Sequence, residues 1–301
     1  MTAKLTIGPI LFHWPAEQKL DFYARIADEA PVDTVYLGEV VCSKRAPFFE
    51  EHYQSVAERL ERGGKEVVFS SLAEVMLARE RKMMAGFCED AGFEIEVNDA
   101  SALFHLSGRA HRLGMFMNVY NEETLTFLAG KGATHVTLPV EMPGQSVAVM
   151  AAKAAELGIG CEVMVFGRMP LAISARCYHA RAHQRHKDNC QFVCEQDPDG
   201  MPLTTLNDEQ FLSVNGIQTL SHTYFDLLGE ADAMQAMGIT DYRLSPHTQD
   251  MIAVASIWRD RLDAGVDAGE ASARLAALGV PAPLANGFWH HAAGVARVAS
   301  E

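Results

Sequence analysis

The sequence predicts an α/β protein of the (β/α)8, TIM-barrel-like class. Short β-branched runs alternate with helix-patterned segments through eight βα units, and the connections between them are short, which favours a parallel sheet. No G-x-G-x-x-G follows the first strand, which argues against an open dinucleotide-binding sheet. At 301 residues the chain accommodates one barrel of roughly 250 residues plus an insertion. Residues 1–301 are therefore read as a single barrel-like domain. An irregular, cysteine-bearing insertion follows the seventh strand, at about 169–216.

The elements follow in order. "KLTIGPILF" supplies the first strand and Glu17 to Glu29 the first helix. "TVYLGEVV" is the second strand, and a helix from Phe49 to Arg62 stops at Gly63-Gly64, a C-cap signal. "KEVVFSS" is the third strand, with a helix from Leu72 to Ala91 stopped by Gly92. "FEIEVND", "GMFMNVY", "THVTLPVE" and "IGCEVMVFG" continue as strands four to seven, and "ITDYRLSP" beyond the insertion is the eighth.

Composition narrows the function. Apolar residues at 49% and charged residues at 21% are ordinary for a globular protein. A formal net charge of −14 repels phosphate backbones, so no nucleic-acid partner is expected. "MTAKLTIGPILF" has no basic region followed by an apolar core and cleavage site, and "VAVMAAKAAELGIGC" is cut by Lys153 and Glu156. A cytoplasmic protein without a transmembrane segment is the expectation. There the six cysteines stay reduced, and clustered ones read as metal ligands or catalytic thiols before disulfides.

Barrel chemistry belongs at the C-terminal ends of the strands, where the βα loops converge. His13, Glu39, Ser70, Ser71, Asn98, Asp99, Asn118, Glu141 and Arg168 gather at those ends, though strand ends meeting solvent are polar in any case. Cys42 lies just beyond the second strand, and Cys177, Cys190 and Cys194 follow the seventh in a basic stretch, "ARCYHARAHQRHKDNCQFVC". All four project from one rim, with the insertion long enough to bridge its mouth. Cys190 and Cys194 stand four apart, on one face if that segment is helical. Structural zinc takes paired knuckles of closely spaced ligands. Separated thiolates suit the wider iron–sulfur cluster better, and scattered thiols with no metal stay open. Lys44, Arg45, Arg176, Arg181, Arg185 and Lys187 would lower the thiol pKa values and offset the charge of a 4Fe-4S centre.

His179, His183 and His186 fall on one helical face, read here as a solvated basic face rather than as zinc ligands. Cys88 and Cys161, in apolar contexts, are read as buried small residues. Phe288 and Trp289 are read as core. A thiol protease would need a histidine positioned on its nucleophile. Cys177 with His179 is the best pair, and there is no G-x-S-x-G or H-E-x-x-H.

"CEVMVFGRMPLAISARCYHAR" resembles the signature region of the collagenase-like (U-type) peptidase family, whose members share a barrel and often carry iron–sulfur clusters. The resemblance runs through nearly the whole chain, to the C-terminal "NGFWHH". "VYLGEVVCSKR" joined to C-x12-C-x3-C is similar to the family's ubiquinone-biosynthesis branch. Pro170 stands where other branches often place another cysteine, which disfavours the peptidase-like and RNA-hydroxylating branches. The resemblance implies a 4Fe-4S cluster on Cys42, Cys177, Cys190 and Cys194. It also implies oxygen-independent hydroxylation of ubiquinone precursors in a heterodimer with a paralogue, UbiU. The lipid-binding accessory protein UbiT and prephenate, as oxygen donor, complete the implied set. Arg168, Arg176 and Arg181 are the candidates to grip a dicarboxylate or to balance cluster charge. A related hydrolase, an RNA hydroxylase and a non-catalytic, cluster-bearing scaffold subunit are the alternatives.

Overall fold

The computed structural model describes residues 3–89 and 92–299. Eight parallel strands close into a ring: β1 (Lys4–Ile7), β2 (Thr34–Leu37), β3 (Glu66–Ser70), β4 (Glu94–Val97), β5 (His111–Leu113), β6 (Ala133–Thr137), β7 (Gly160–Ile173) and β11 (Asp241–Leu244). Each of the first seven pairs with the next, and β11 closes the ring between β7 and β1, as in Tyr242 opposite both Val163 and Leu5. The expected barrel is present.

The strands are shorter than their apolar runs because the loops leave early. β2 ends at Leu37, and Gly38 turns the chain with φ +129; a Cβ there would lie 2.4 Å from the Ser70 carbonyl oxygen. Only glycine fits that close approach. The fifth strand is displaced from its expected place. It is His111–Leu113, while Met115–Met117 form a 3-10 turn ending at Asn118 in the left-handed region. His111 and Arg112 are polar residues in a core strand. Both are nevertheless buried, because Arg112 donates to Glu94 (2.8 Å), Glu66 (2.6 Å) and the Tyr36 hydroxyl (3.2 Å).

Helices α1 (Ala16–Glu29), α2 (Tyr53–Arg62), α3 (Ala78–Glu89), α4 (Ala100–Leu106), α5 (Glu122–Ala129) and α6 (Gly144–Leu157) occupy the first six connections. Asp99 caps α4 through the Ser101 N–H (2.7 Å) and Asn121 caps α5 through the Thr124 N–H (2.9 Å). α3 starts six residues later than expected. Glu80 draws in the Met76 and Leu77 N–H groups (3.0 and 2.9 Å), and Ala73 bonds back to Val40, so 72–77 wrap the loop after β2. The expected helix end at Ala91 lies outside the described residues. α8 (Ala231–Ala236), α9 (Met251–Asp263) and α10 (Ala268–Ala277) complete the outer layer. Among the described residues no helix is long and apolar enough to cross a membrane.

The segment after β7 is more regular than its sequence suggested. β7 itself continues to Ile173, past the expected end at Gly167. It pairs antiparallel with β10 (Gln218–Asp226), which pairs with β9 (Gln210–Asn215), which pairs with β8 (Met201–Thr204). The short helix α7 (Tyr178–Ala182) and three cysteines lie between β7 and β8. Trp14 donates from Nε1 to the Pro198 carbonyl (2.6 Å), and the Thr248 N–H donates to Asp199 (3.0 Å), fixing the insertion to the loops after β1 and β11. β12 (Leu284–Ala285) pairs with β10, and the Trp289 ring seats against Gly144 at the start of α6. Trp289 belongs to the core, as expected.

The barrel interior holds charge. Arg243 lies 3.9 Å over the Tyr36 ring and pairs with Glu96 (2.6 Å) and with Glu162, all nearly inaccessible. Glu162 also accepts from Thr6 (2.5 Å), Thr137 (2.7 Å) and Tyr36 (3.1 Å). Burial by itself would raise the Glu162 pKa; Arg243 and the two threonine hydroxyls outweigh it and lower it. Removing one partner of such a set strands the others. Arg243→Met is therefore expected to cost about 3–5 kcal/mol, read as a lowered urea midpoint, and adding Glu162→Gln should recover part of the loss.

Candidate metal centre

The rim above β2 and the insertion bring the four predicted cysteines to one place. Cys42, Cys177, Cys190 and Cys194 line a single small cavity with Arg45 and His179. Each thiol is set by local backbone. The Glu39 carboxylate accepts the Val41 and Cys42 N–H groups (3.0 and 2.9 Å), and the Arg45 N–H closes a turn onto the Cys42 carbonyl (2.8 Å). Cys177 caps α7, its sulfur accepting the Ala180 N–H at 3.4 Å. Cys190 and Cys194 do not share a helix. Cys190 follows one 3-10 turn, Cys194 sits in another, and Gln191 and Phe192 between them are left-handed. The reversal still turns both sulfurs to the cavity.

Arg45 organises this cavity. Its side chain is 2% exposed and donates to the Leu11 carbonyl (3.0 Å) and Asn215 Oδ1 (2.9 Å). Asn215 in turn donates to Leu11 (2.7 Å). Gly216 adopts φ +63, and a Cβ there would come within 2.7 Å of the guanidinium. Burial works against the Arg45 charge; Cys194, Glu39 and Cys42 outweigh it and hold the pKa above its ordinary value. Burial raises the Cys42 thiol, against the pull of Arg45. Burial likewise raises Cys177, against the Ala180 N–H. Lys44 and Lys187 also line the cavity, Lys44 donating to the Lys187 carbonyl (2.5 Å).

The remaining predicted residues divide. Arg185 donates to the Cys190 carbonyl (3.2 Å) and steadies that loop. Arg168 lies away from the thiols, tied by Nη1 to the Ser221 (3.1 Å) and His222 carbonyls and 4.7 Å over Tyr224. Arg176 and Arg181 are exposed, with Arg181 over the Tyr178 ring. The reading of three histidines on one solvated face is corrected. α7 is only five residues long, so His186 lies outside it. His179 is fully buried, its Nε2 2.9 Å from Asp197, with the His183 ring stacked on it. Among the described residues the donor atoms of His179, His183 and Asp197 lie within 4.8 Å of one another. A tetrahedral zinc thiolate centre places its sulfurs about 3.8 Å apart, from a Zn–S bond of about 2.3 Å. The donor set, four thiols against a buried cation, fits a wider anionic centre.

Cys177 and His179 are not a nucleophile–base pair. The imidazole faces Asp197 on one side and the Gly216 N–H on the other (3.5 Å), while the sulfur faces Ala180. Cys88 and Cys161 are buried, and burial pushes their thiols up to about 11 and about 12. Asn215, Gly216, Asp197 and Phe192 were missed from sequence. An Asn-Gly pair reads as a hairpin turn, and nothing in it announces an arginine partner.

Residues 21–288 match the profile of peptidase family U32, and the chain belongs to that family. Among solved structures it is similar to an uncharacterized B. cereus protein at 10% identity, over 81% of this chain and 61% of that one, with a TM-score of 0.39. It is also similar to the Bacillus megaterium QM B1551 spore cortex-lytic enzyme SleL at 9% identity, over 81% and 70%, with a TM-score of 0.29. The chain thus spans less than two thirds of the first of these.

Two histidines beside this rim are held neutral. His13 packs on Phe48 (5.1 Å) and Phe192 (5.7 Å), and burial, then Arg45 and Lys19, lower it to about 4. His247 accepts the Arg168 N–H (3.3 Å) and is lowered to about 4, chiefly by burial. The unfolded chain takes up these protons first, near pH 6.5. Their contribution to stability is complete above that pH and is lost as pH falls towards 4. Urea midpoints measured from pH 7 to 4 should fall less steeply in His13→Gln and in His247→Gln than in the parent.

Proposed function

We propose that this U32-family chain is an iron–sulfur subunit for oxygen-independent hydroxylation in ubiquinone formation, of the kind its resemblance to UbiV implies. The observation that carries the reading is the convergence of Cys42, Cys177, Cys190 and Cys194 on one cavity, with the buried Arg45 against it. The four sulfurs would hold a 4Fe-4S cluster. Such a cluster supplies one-electron chemistry.

The chain's own residues account for the rest of the site. Arg45, held by Leu11 and Asn215, sets a fixed positive charge against the sulfurs and favours their deprotonated form. Glu39 orients the Cys42 turn through two N–H groups. His179 and Asp197 clamp α7 to the turn that carries Cys194, so two of the sulfurs keep their relative position. Under this reading the partner is UbiU, with UbiT presenting the lipid precursor. A dicarboxylate oxygen donor such as prephenate would meet the exposed Arg176 and Arg181, since Arg168 already serves two backbone carbonyls.

Anaerobic reconstitution tests the assignment. The parent chain should take up iron and sulfide in equal amounts with visible absorption, and each of Cys42→Ala, Cys177→Ala, Cys190→Ala and Cys194→Ala should lose most of it. Arg45→Met should retain less cluster than the parent. Full cluster in all four cysteine variants, or none in the parent, refutes the reading.

A further inference from the structure

A second cavity, of about 700 Å3, lies outside the barrel between α2, α3 and strands β3 and β4. That volume is within the usual range for small-molecule sites. Its α3 lining is Met84 and one helical stripe, in which Arg79, Lys82, Met83, Gly86 and Phe87 recur at spacings of three and four. The stripe of α3 that packs inward is a different one, Glu80, Met84 and Cys88, while the lining stripe carries the exposed Arg79 and Lys82. Here it borders open volume, with Tyr53, Phe69 and Phe93 forming a connected aromatic wall opposite (ring centroids 5.9 and 4.9 Å apart).

The cavity is amphipathic along its length. Gly38 and Glu39 follow β2 and Ser70 ends β3, so they mark the rim end, as does Arg79 in the first turn of α3. Phe93 precedes β4 and Phe87 lies in the last turn of α3, so the far end is apolar. The loop at 38–46 is shared. Glu39 and Ala46 face this cavity, while Cys42 and Arg45 face the thiol cavity. Gly86 adds an independent observation. A glycine inside a helix costs about 1 kcal/mol relative to alanine, and a Cβ at Gly86 would meet nothing within 4 Å. No packing constraint accounts for it, and its effect is to keep the cavity wide.

We propose that this cavity, whose rim end carries Glu39 and Glu50 beside Arg79 and Lys82, binds the hydrocarbon chain of an amphiphile with a small polar head group. The chain lies between Phe87 and the aromatic wall, and the head lies at the rim end by Arg79 and Lys82, against the loop that carries Cys42. A prenylated phenol as the occupant rests on the proposed function; the chain site itself does not.

Titration calorimetry of the full chain with 2-farnesylphenol, and separately with palmitate, tests this and distinguishes the two sources of chain. Saturable binding of either supports the site, and the tighter ligand identifies the chain type. Gly86→Leu should weaken it by about tenfold or more, Gly86→Ala should weaken it less, and Arg79→Glu with Lys82→Glu should weaken palmitate binding more than binding of the uncharged phenol. Thermal melting confirms that each variant is folded. Binding by the cluster-deficient Cys177→Ala chain is expected to equal that of the parent, so this inference and the cluster assignment fail separately. If neither ligand binds the parent, or if folded Gly86→Leu binds as the parent does, the site is overturned.

Discussion

One buried guanidinium ties the rim together. Arg45 reaches the loop after β1 through Leu11, the insertion through Asn215, and its own loop through the Cys42 turn. A cation removed from water needs both hydrogen bonds and countercharge. The hydrogen bonds come from a carbonyl and an amide, which are neutral. The countercharge comes from the Glu39 carboxylate, joined by Cys194 and Cys42 once these are deprotonated. The same residue that closes the insertion over the barrel thus biases the neighbouring thiols towards thiolate. Folding of the rim and readiness for an anionic centre are one electrostatic problem.

Sequence and structure agree where a signal is local and periodic. The βα alternation gave the barrel, and the thiols could be singled out because a short basic stretch held three of them. The fifth strand was missed because His111–Leu113 carries polar side chains whose partners, Glu66, Glu94 and Tyr36, come from three other elements. His179 was read as solvated for the same reason. Its partner Asp197 lies 18 residues on, beyond three left-handed residues, Gln184, Gln191 and Phe192, that no helical pattern anticipates. Arg168 looked like a free anion clamp, and only the pairing of β7 with β10 reveals the carbonyls that occupy it. Pattern reading recovers what repeats along the chain. It does not recover a polar residue satisfied at long range.

The distribution of charge explains where the chemistry can be. A barrel of this class ordinarily fills its interior with branched apolar side chains. Here Arg243, Glu162 and Glu96 fill it, with threonine and tyrosine hydroxyls completing the network. Every strand contributing to that network is fixed in register by it, because a shift would leave an ion unpaired in a site that water does not reach. Such an interior is mostly filled by mutually paired charge; the Arg243 Nε is left without a partner, and only a small cavity borders Arg243 and Glu96.

Two binding volumes accordingly lie outside the ring. The insertion supplies the thiol cavity above it, and α3 supplies one wall of the apolar cavity beside it. Both abut the loop at 38–46, which Gly38 directs away from β2 at a φ of +129. A side chain at 38 would collide with the Ser70 carbonyl and force this loop outward, and Cys42, Arg45 and the polar end of the apolar cavity would move with it. A single backbone conformation that only glycine tolerates therefore couples the two cavities, although they share no side chain.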